Sequence, residues 1–392
     1  MVDTQSFRVL SGTSVFFLYL AVLIARTRES IGRFPGDPGY SYLLDGVNHG
    51  IRSLSFGDPY LHVVARFTAS VAVMFPLGWQ AVAASMLVHL IWALSALAVS
   101  ATVKLETHSS VLAVLAGLLL VTAPHAAESS LGNIGNVKWP ITSALIVMCC
   151  SPQMLTKHPV RVGIGIALVG LTQPLAILGA IPIAANLLRE NRSKNWGGFL
   201  LATLLATTAA QLGKVGLGDA ASGRSAKVTT PWDGMGLFWW SGLAGPILIA
   251  GAILVLLSVP TIRMRQMNLF VPLLAVLSIA FSFGSYSLGG IADRYFVLPM
   301  TLSLVAALVV FGLPTPQRRR RFLVGFVSAG LILLVPTVRW FSTSAYLTSG
   351  PTWTSEIQRS REACVGTLSK SVEIEISSGG STVLSCARLT DE

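Results

Sequence analysis

Apolar segments recur along nearly the whole chain, at roughly 9–25, 80–102, 109–125, 139–151, 162–173, 175–188, 197–216, 239–259, 269–283, 297–312 and 322–338. Basic residues gather in the gaps between them. Such segments constrain the fold more than anything else here, because their backbone amides need partners that apolar surroundings do not supply, and helices supply them internally. Only 11% of the residues are charged and 53% are hydrophobic, whereas soluble domains carry about 25% charge. The pattern predicts an all-α polytopic membrane protein with about eleven transmembrane helices, within a range of about 10–12. Several segments are shorter than the roughly 20 residues of a straight span, so some helices are expected to kink or to thin the bilayer locally.

The net charge of +11 is spread over short clusters, which read as topology signals. The aromatic-plus-basic surface of a nucleic-acid binder is missing, so no nucleic-acid partner is expected. Arg318 to Arg321 should stay cytoplasmic, which sets the loops 217–238 and 284–296 outside and Arg189, Arg192, Lys194, Arg263 and Arg265 inside. Pro174 either breaks residues 162–188 into two half-helices or kinks one helix. Breaking them puts Lys104, Lys157 and Arg161 inside and makes 61–78 a re-entrant or interfacial hairpin turning at Pro76-Leu77-Gly78. The rival makes 61–78 a full pass. The first version gives a multi-pass plasma-membrane protein with a cytoplasmic N-terminus and an exocytoplasmic C-terminus. The segment 9–25 follows Arg8 without a convincing cleavage site before Arg26 and reads as a retained anchor.

Two regions follow from composition: 1–338, a membrane region whose first exocytoplasmic loop is 26–66, and 339–392, a small polar exocytoplasmic tail. In the tail, Val372-Glu373-Ile374-Glu375-Ile376 alternates and Gly379-Gly380 follows, a β signal. Cys149 and Cys150 lie in an apolar segment and read as packing residues. Cys364 and Cys386 are the tail's cysteines, and their pairing would close a loop worth about 3 kcal/mol and imply an oxidising compartment.

Three polar groups stand out as chemistry. The first loop holds Asp37-Pro38, Asp45-Gly46 and Asp58-Pro59, then His62 and Arg66 at i, i+4 on one helical face. Arg66 can grip a phosphate bidentately with His62 donating beside it; the plainer alternative is an arginine snorkelling to headgroups. Asp-Pro also signals a turn, which is the competing reading of Asp37 and Asp58. The second group runs from Glu128 through Asn133, Asn136 and Lys138 to Trp139, supplying an acid, amides, a cation and a sugar-stacking face. Capping explains Asn136 but leaves Glu128 and Lys138 to an ion pair. The third is Asp293-Arg294-Tyr295, where Asp293 can serve simply to neutralise Arg294. P-loop, zinc-spaced cysteine and Gly-x-Ser-x-Gly motifs are missing.

The acidic residue Asp37 soon after the first apolar segment, the Tyr40-Ser41-Tyr42 stretch, the Pro59-containing re-entry and the late Arg294-Tyr295 together resemble the GT-C superfamily of membrane glycosyltransferases, which includes protein mannosyltransferases and lipid A aminoarabinose transferases. The resemblance covers the general topology and the first third of the chain. It implies an enzyme, an inverting glycosyltransferase that moves a sugar from a polyprenyl-phosphate donor to an exocytoplasmic glycan, lipid or protein acceptor, with membrane lipids around it. Asp37 would be the general base, with Asp58 and Glu128 as further catalytic carboxylates. His62, Arg66, Asn133, Asn136, Lys138, Trp139, Asp293, Arg294 and Tyr295 would bind substrate. The family's acidic pair reads Asp37-Pro38 here, so no metal ligand or cofactor is assigned and a divalent cation stays open. The competing classes are a transporter or flippase of a lipid-linked or anionic substrate, for which broken helices and polar groups at mid-membrane would speak, and a noncatalytic membrane assembly subunit.

Overall fold

The computed structural model describes residues 11–33, 42, 43, 46, 61–122, 131–189, 194–222, 269–289, 297–312, 350–366, 371–376 and 380–390. Helix α1 (Gly12–Thr27) starts where the Ser11 hydroxyl accepts from the Ser14 amide at 3.2 Å, a side-chain cap for an otherwise unsatisfied donor. Helix α2 (Val63–Ala72) is short and turns through the 3-10 segment Leu77–Trp79 into α3 (Gln80–Thr107), the longest apolar helix described. His108 ends α3 in the left-handed region, at φ 54°, and Ser109 caps α4 (Ser110–Val121). Two residues therefore suffice to reverse the chain, and α3 and α4 pack along their length.

A 3-10 turn, Ile134–Asn136, leads into α5 (Lys138–Cys150), which packs against α3 and is buried over most of its surface. Ser151 then caps α6 (Pro152–Lys157), with Pro152 in the first turn where its missing N–H costs nothing. The Glu106 carboxylate accepts from the Ser151 hydroxyl at 2.5 Å and from the Gln153 amide at 3.2 Å, tying α6 to the end of α3. Helix α7 (Pro159–Gly170) gives way at Pro174 to a 3-10 segment, Pro174–Gly179, before α8 (Ala180–Arg189) and α9 (Lys194–Ser222). Residues 162–188 thus form two helices with a break at Pro174. Helices α10 (Phe270–Gly289) and α11 (Val297–Gly312) pack as a pair, sharing a buried Ser278–Ser303 hydroxyl contact of 2.5 Å.

At the C-terminal end α12 (Trp353–Ala363) packs on an antiparallel hairpin of β1 (Ser371–Ile376) and β2 (Gly380–Ser385), followed by α13 (Cys386–Thr390). Alternation puts Ile374 and Ile376 on the buried face. A disulfide joins Cys364 to Cys386, with Cα atoms 5.3 Å apart. Buried Glu356 holds helix to hairpin, accepting from the Glu375 amide at 3.1 Å and from Arg359 at 2.6 Å. The unit docks through Trp353, whose indole N–H donates to the Leu77 carbonyl at 2.7 Å, and Thr354, whose hydroxyl donates to the Gly78 carbonyl at 2.7 Å. Its buried residues are continuous with those of α1 to α5, α10 and α11 in one hydrophobic core, and a second cluster gathers around α5 to α9.

This architecture corrects the expected one. Among the described residues one helical stretch, Leu77–Thr107, counts as long and apolar enough to cross a membrane; the shorter apolar stretches, Phe270–Phe281 within α10 among them, run 10–17 residues, about 15–25 Å against a hydrocarbon core of about 30 Å. The apolar runs hold shorter helices than their length suggests: Ser109 and Thr122 bound α4, and α7, opened by Pro159, stops at Gly170 ahead of the 3-10 segment at Pro174. The expected polytopic fold of about eleven transmembrane helices does not hold, and neither does the multi-pass plasma-membrane topology built on it.

Candidate functional site

Helix α2 begins unusually. His62 sits at φ 45° and ψ 41°, the left-handed region, which costs a non-glycine residue roughly 1 kcal/mol and is held only where the surroundings enforce it. The enforcement is visible in the partners of the first backbone amides, which no intrahelical acceptor can serve. The Leu61 amide donates to the Gln211 side-chain oxygen at 3.1 Å, Val63 to the Leu171 carbonyl at 3.3 Å and Val64 to the Thr172 hydroxyl at 3.2 Å. Thr172 itself is held by donation to the Leu168 carbonyl at 2.7 Å. The helix start is therefore plugged into the end of α7 and the middle of α9.

One turn on, Arg66 lies on the same face as His62, and both are buried, at 3% and 6% exposure. Tyr42 joins them: its ring meets the His62 ring edge-on at 5.5 Å, and the Arg66 guanidinium carbon lies 5.6 Å from its centroid, within cation–π range. Helix α2 also packs on the Ile134–Asn136 turn, where Asn133 caps by accepting from the Gly135 amide at 2.9 Å. The Asn133 amide nitrogen and the Gln211 amide nitrogen are buried, and each lacks a hydrogen-bond acceptor among the described residues. Asn136 is buried in the same turn. Lys138 and Trp139 follow at the start of α5, with the ammonium 5.6 Å from the indole centroid.

The structure thus brings His62 and Arg66 together and sets their helix against the turn that carries Asn133 and Asn136, with Lys138 and Trp139 just beyond it. Asp37, Asp58, Glu128, Asp293, Arg294 and Tyr295 lie outside the described residues. Tyr42, Thr172 and Gln211 are additions that sequence reading did not assign. A polar amide in an otherwise apolar stretch is the one local mark Gln211 carries. Among the described residues no three His, Cys, Asp or Glu side chains cluster to hold a metal ion.

These findings overturn the assignment as a polyprenyl-phosphate-dependent glycosyltransferase. The multi-span architecture that such an enzyme requires is replaced by one span-length helix among the described residues, and no metal-binding cluster accompanies it there. The transporter, flippase and membrane-assembly alternatives rested on the same architecture and fall with it. No protein-family model matches the chain and no curated protein sequence matches it, so the GT-C resemblance has no support beyond the motifs that suggested it.

Proposed function

We propose that the chain binds a phosphate-bearing ligand at the start of α2. The observation that carries this is the pair of buried amide donors, Asn133 Nδ2 and Gln211 Nε2, left without acceptors among the described residues beside a helix that presents Arg66 and His62. A buried donor without an acceptor costs about 1–3 kcal/mol, so two of them on the elements that pack against the start of α2 favour a place built for an oxyanion. The guanidinium offers a planar two-point grip, the amides add neutral donors, and the imidazole adds a ring N–H. Tyr42 orients the guanidinium through its ring face. The role proposed is binding, and free phosphate esters and phosphate-headed lipids such as a polyprenyl phosphate share the chemistry it recognises.

Isothermal titration of the purified full chain tests the reading, with phenyl phosphate and a polyprenyl monophosphate as separate probes. Saturable binding is expected. Arg66→Gln should weaken it about tenfold or more, the worth of a charge-assisted hydrogen bond, and Arg66→Lys should recover part because the charge stays while the fork is lost. His62→Asn, which suits the left-handed backbone, should keep the fold and lose affinity. No saturable binding of either probe, or undiminished binding by Arg66→Gln, defeats the proposal. Binding of the polyprenyl ester alone assigns the lipid-borne form.

A further inference from the structure

At the other end of α2 the chain turns back through Val73 to Trp79, and this tip forms one wall of a groove of about 980 Å³ whose other wall is α12. The tip holds its apolar side chains out: Met74 is 82% exposed, Trp79 63% and Phe75 47%, with Phe67 at 61% about two turns back on α2. The exposure is imposed by a fixed backbone. Gln80 donates its side-chain amide to the carbonyls of Phe75 at 3.2 Å and Val73 at 3.4 Å, while Trp353 and Thr354 clamp Leu77 and Gly78 from the other side. A tip so fastened cannot turn these side chains inward to escape water, and clustered exposed apolar groups at a rigid protrusion mark a contact surface.

The chemistry of the lining selects the occupant. From α12 come Ile357, Gln358 and Arg361, and no carboxylate lines the groove among the described residues. An apolar edge bearing tryptophan, with hydroxyls and a guanidinium behind it, matches the order of an anionic lipid surface read from acyl chains outward to headgroups. Continuity points the same way, since Trp79 stands at the opening of the one helical stretch of span length among the described residues and exposed Leu94 lies further along it. We infer that the α2–α3 tip seats Met74, Phe75 and Trp79 in the headgroup–acyl boundary of an anionic lipid surface, with Arg361 toward the headgroups. Insertion of about 5–10 Å suffices for such a contact, so it requires one tip and no bundle of spans. It is independent of the phosphate site at the helix start.

A localised probe tests it. Cys149 and Cys150 are fully buried and Cys364 and Cys386 are joined, so Met74→Cys supplies the accessible thiol of the full-length chain for an environment-sensitive fluorophore. With vesicles of mixed phosphatidylglycerol and phosphatidylcholine, the probe at position 74 is expected to shift to the blue, to be quenched by brominated acyl chains and to become several-fold less accessible to iodide. The same probe at Glu373→Cys, on the exposed face of β1, should stay open to iodide. Equal iodide quenching at the two positions overturns the inference. So does shielding from iodide without quenching by brominated lipid, which would place a protein neighbour or a second copy on the tip. Equal insertion into pure phosphatidylcholine overturns the anionic assignment.

Discussion

Gly117→Ala probes one of the close packing points among the described residues. Gly117 of α4 faces Tyr19 of α1 and Ser100 of α3, and a methyl group built there would fall inside contact distance of the Tyr19 hydroxyl and the Ser100 Oγ. Those two oxygens are 2.5 Å apart, and the tyrosine hydroxyl also donates to the Val114 carbonyl at 3.0 Å. Donation to Val114 commits the tyrosine proton, so Ser100 donates to Tyr19. The alanine must therefore displace a ring that is fully buried and doubly bonded. Overpacking of this kind costs about 1–3 kcal/mol, and each lost hydrogen bond adds about 1 kcal/mol. Against this stands about 1 kcal/mol from better helix propensity. The net expectation is a loss of about 2–4 kcal/mol, read as a lower denaturant midpoint of the purified chain. Tyr19→Phe combined with Gly117→Ala should be less destabilised than the separate losses add up to, because the clashing oxygen is gone, and a double-mutant cycle measures that coupling. Gly198→Ala in α9, where nothing lies within 4 Å of the added carbon, serves as control and should gain about 0.5–1 kcal/mol. A Gly117→Ala variant within about 0.5 kcal/mol of the parent would refute the packing argument.

Trp353→Phe keeps the ring in the core but leaves the Leu77 carbonyl without its indole donor, so α12 should lose about 1–2 kcal/mol of protection in hydrogen exchange; unchanged exchange there would show that the bond contributes nothing. Replacing both Cys364 and Cys386 by serine removes a cross-link between positions 22 residues apart, worth about 3 kcal/mol in loop-closure entropy. Limited proteolysis should then cut between α12 and α13 before it cuts elsewhere, and protease resistance equal to that of the parent would count against a stabilising role.

Hydropathy located the helices better than it measured them. Apolar runs at 80–102 and 297–312 correspond closely to α3 and α11, because each lies between clear polar boundaries. The inflated number of spans has a physical cause: an apolar run states what surrounds its side chains but not how long one hydrogen-bonded helix continues within it. The stretch 109–125 illustrates this, since the Ser109 cap and Thr122 limit the described helix to Ser110–Val121. Proline marks the start of α7 at residue 159, and at residue 174 the break was one of the two readings the sequence left open. The tail was plainer, since alternation over 372–376 with a glycine pair behind it specifies one face and one turn, and β1 pairs with β2 in the register that brings Ile374 opposite Thr382.

The candidate site was legible only as far as its spacing is local. His62 and Arg66 share a face because four residues make one helical turn, and that needs nothing beyond the chain order. Their surroundings obey no such rule. Thr172 stands 108 residues from the amide it accepts and Gln211 stands 150 residues from its own, so tertiary packing alone selects them. A threonine that donates to the carbonyl four residues back and accepts from α2 is indistinguishable in sequence from any helical threonine. The left-handed His62 is equally unmarked in the sequence: it follows from amides upstream and downstream being held by groups on α9 and at the end of α7, which fixes the entry angle of α2 and leaves His62 to absorb the turn. Removing the Gln211 acceptor should therefore relax His62 and shift Arg66 with it, so the phosphate proposal and the strained backbone depend on the same distant amide.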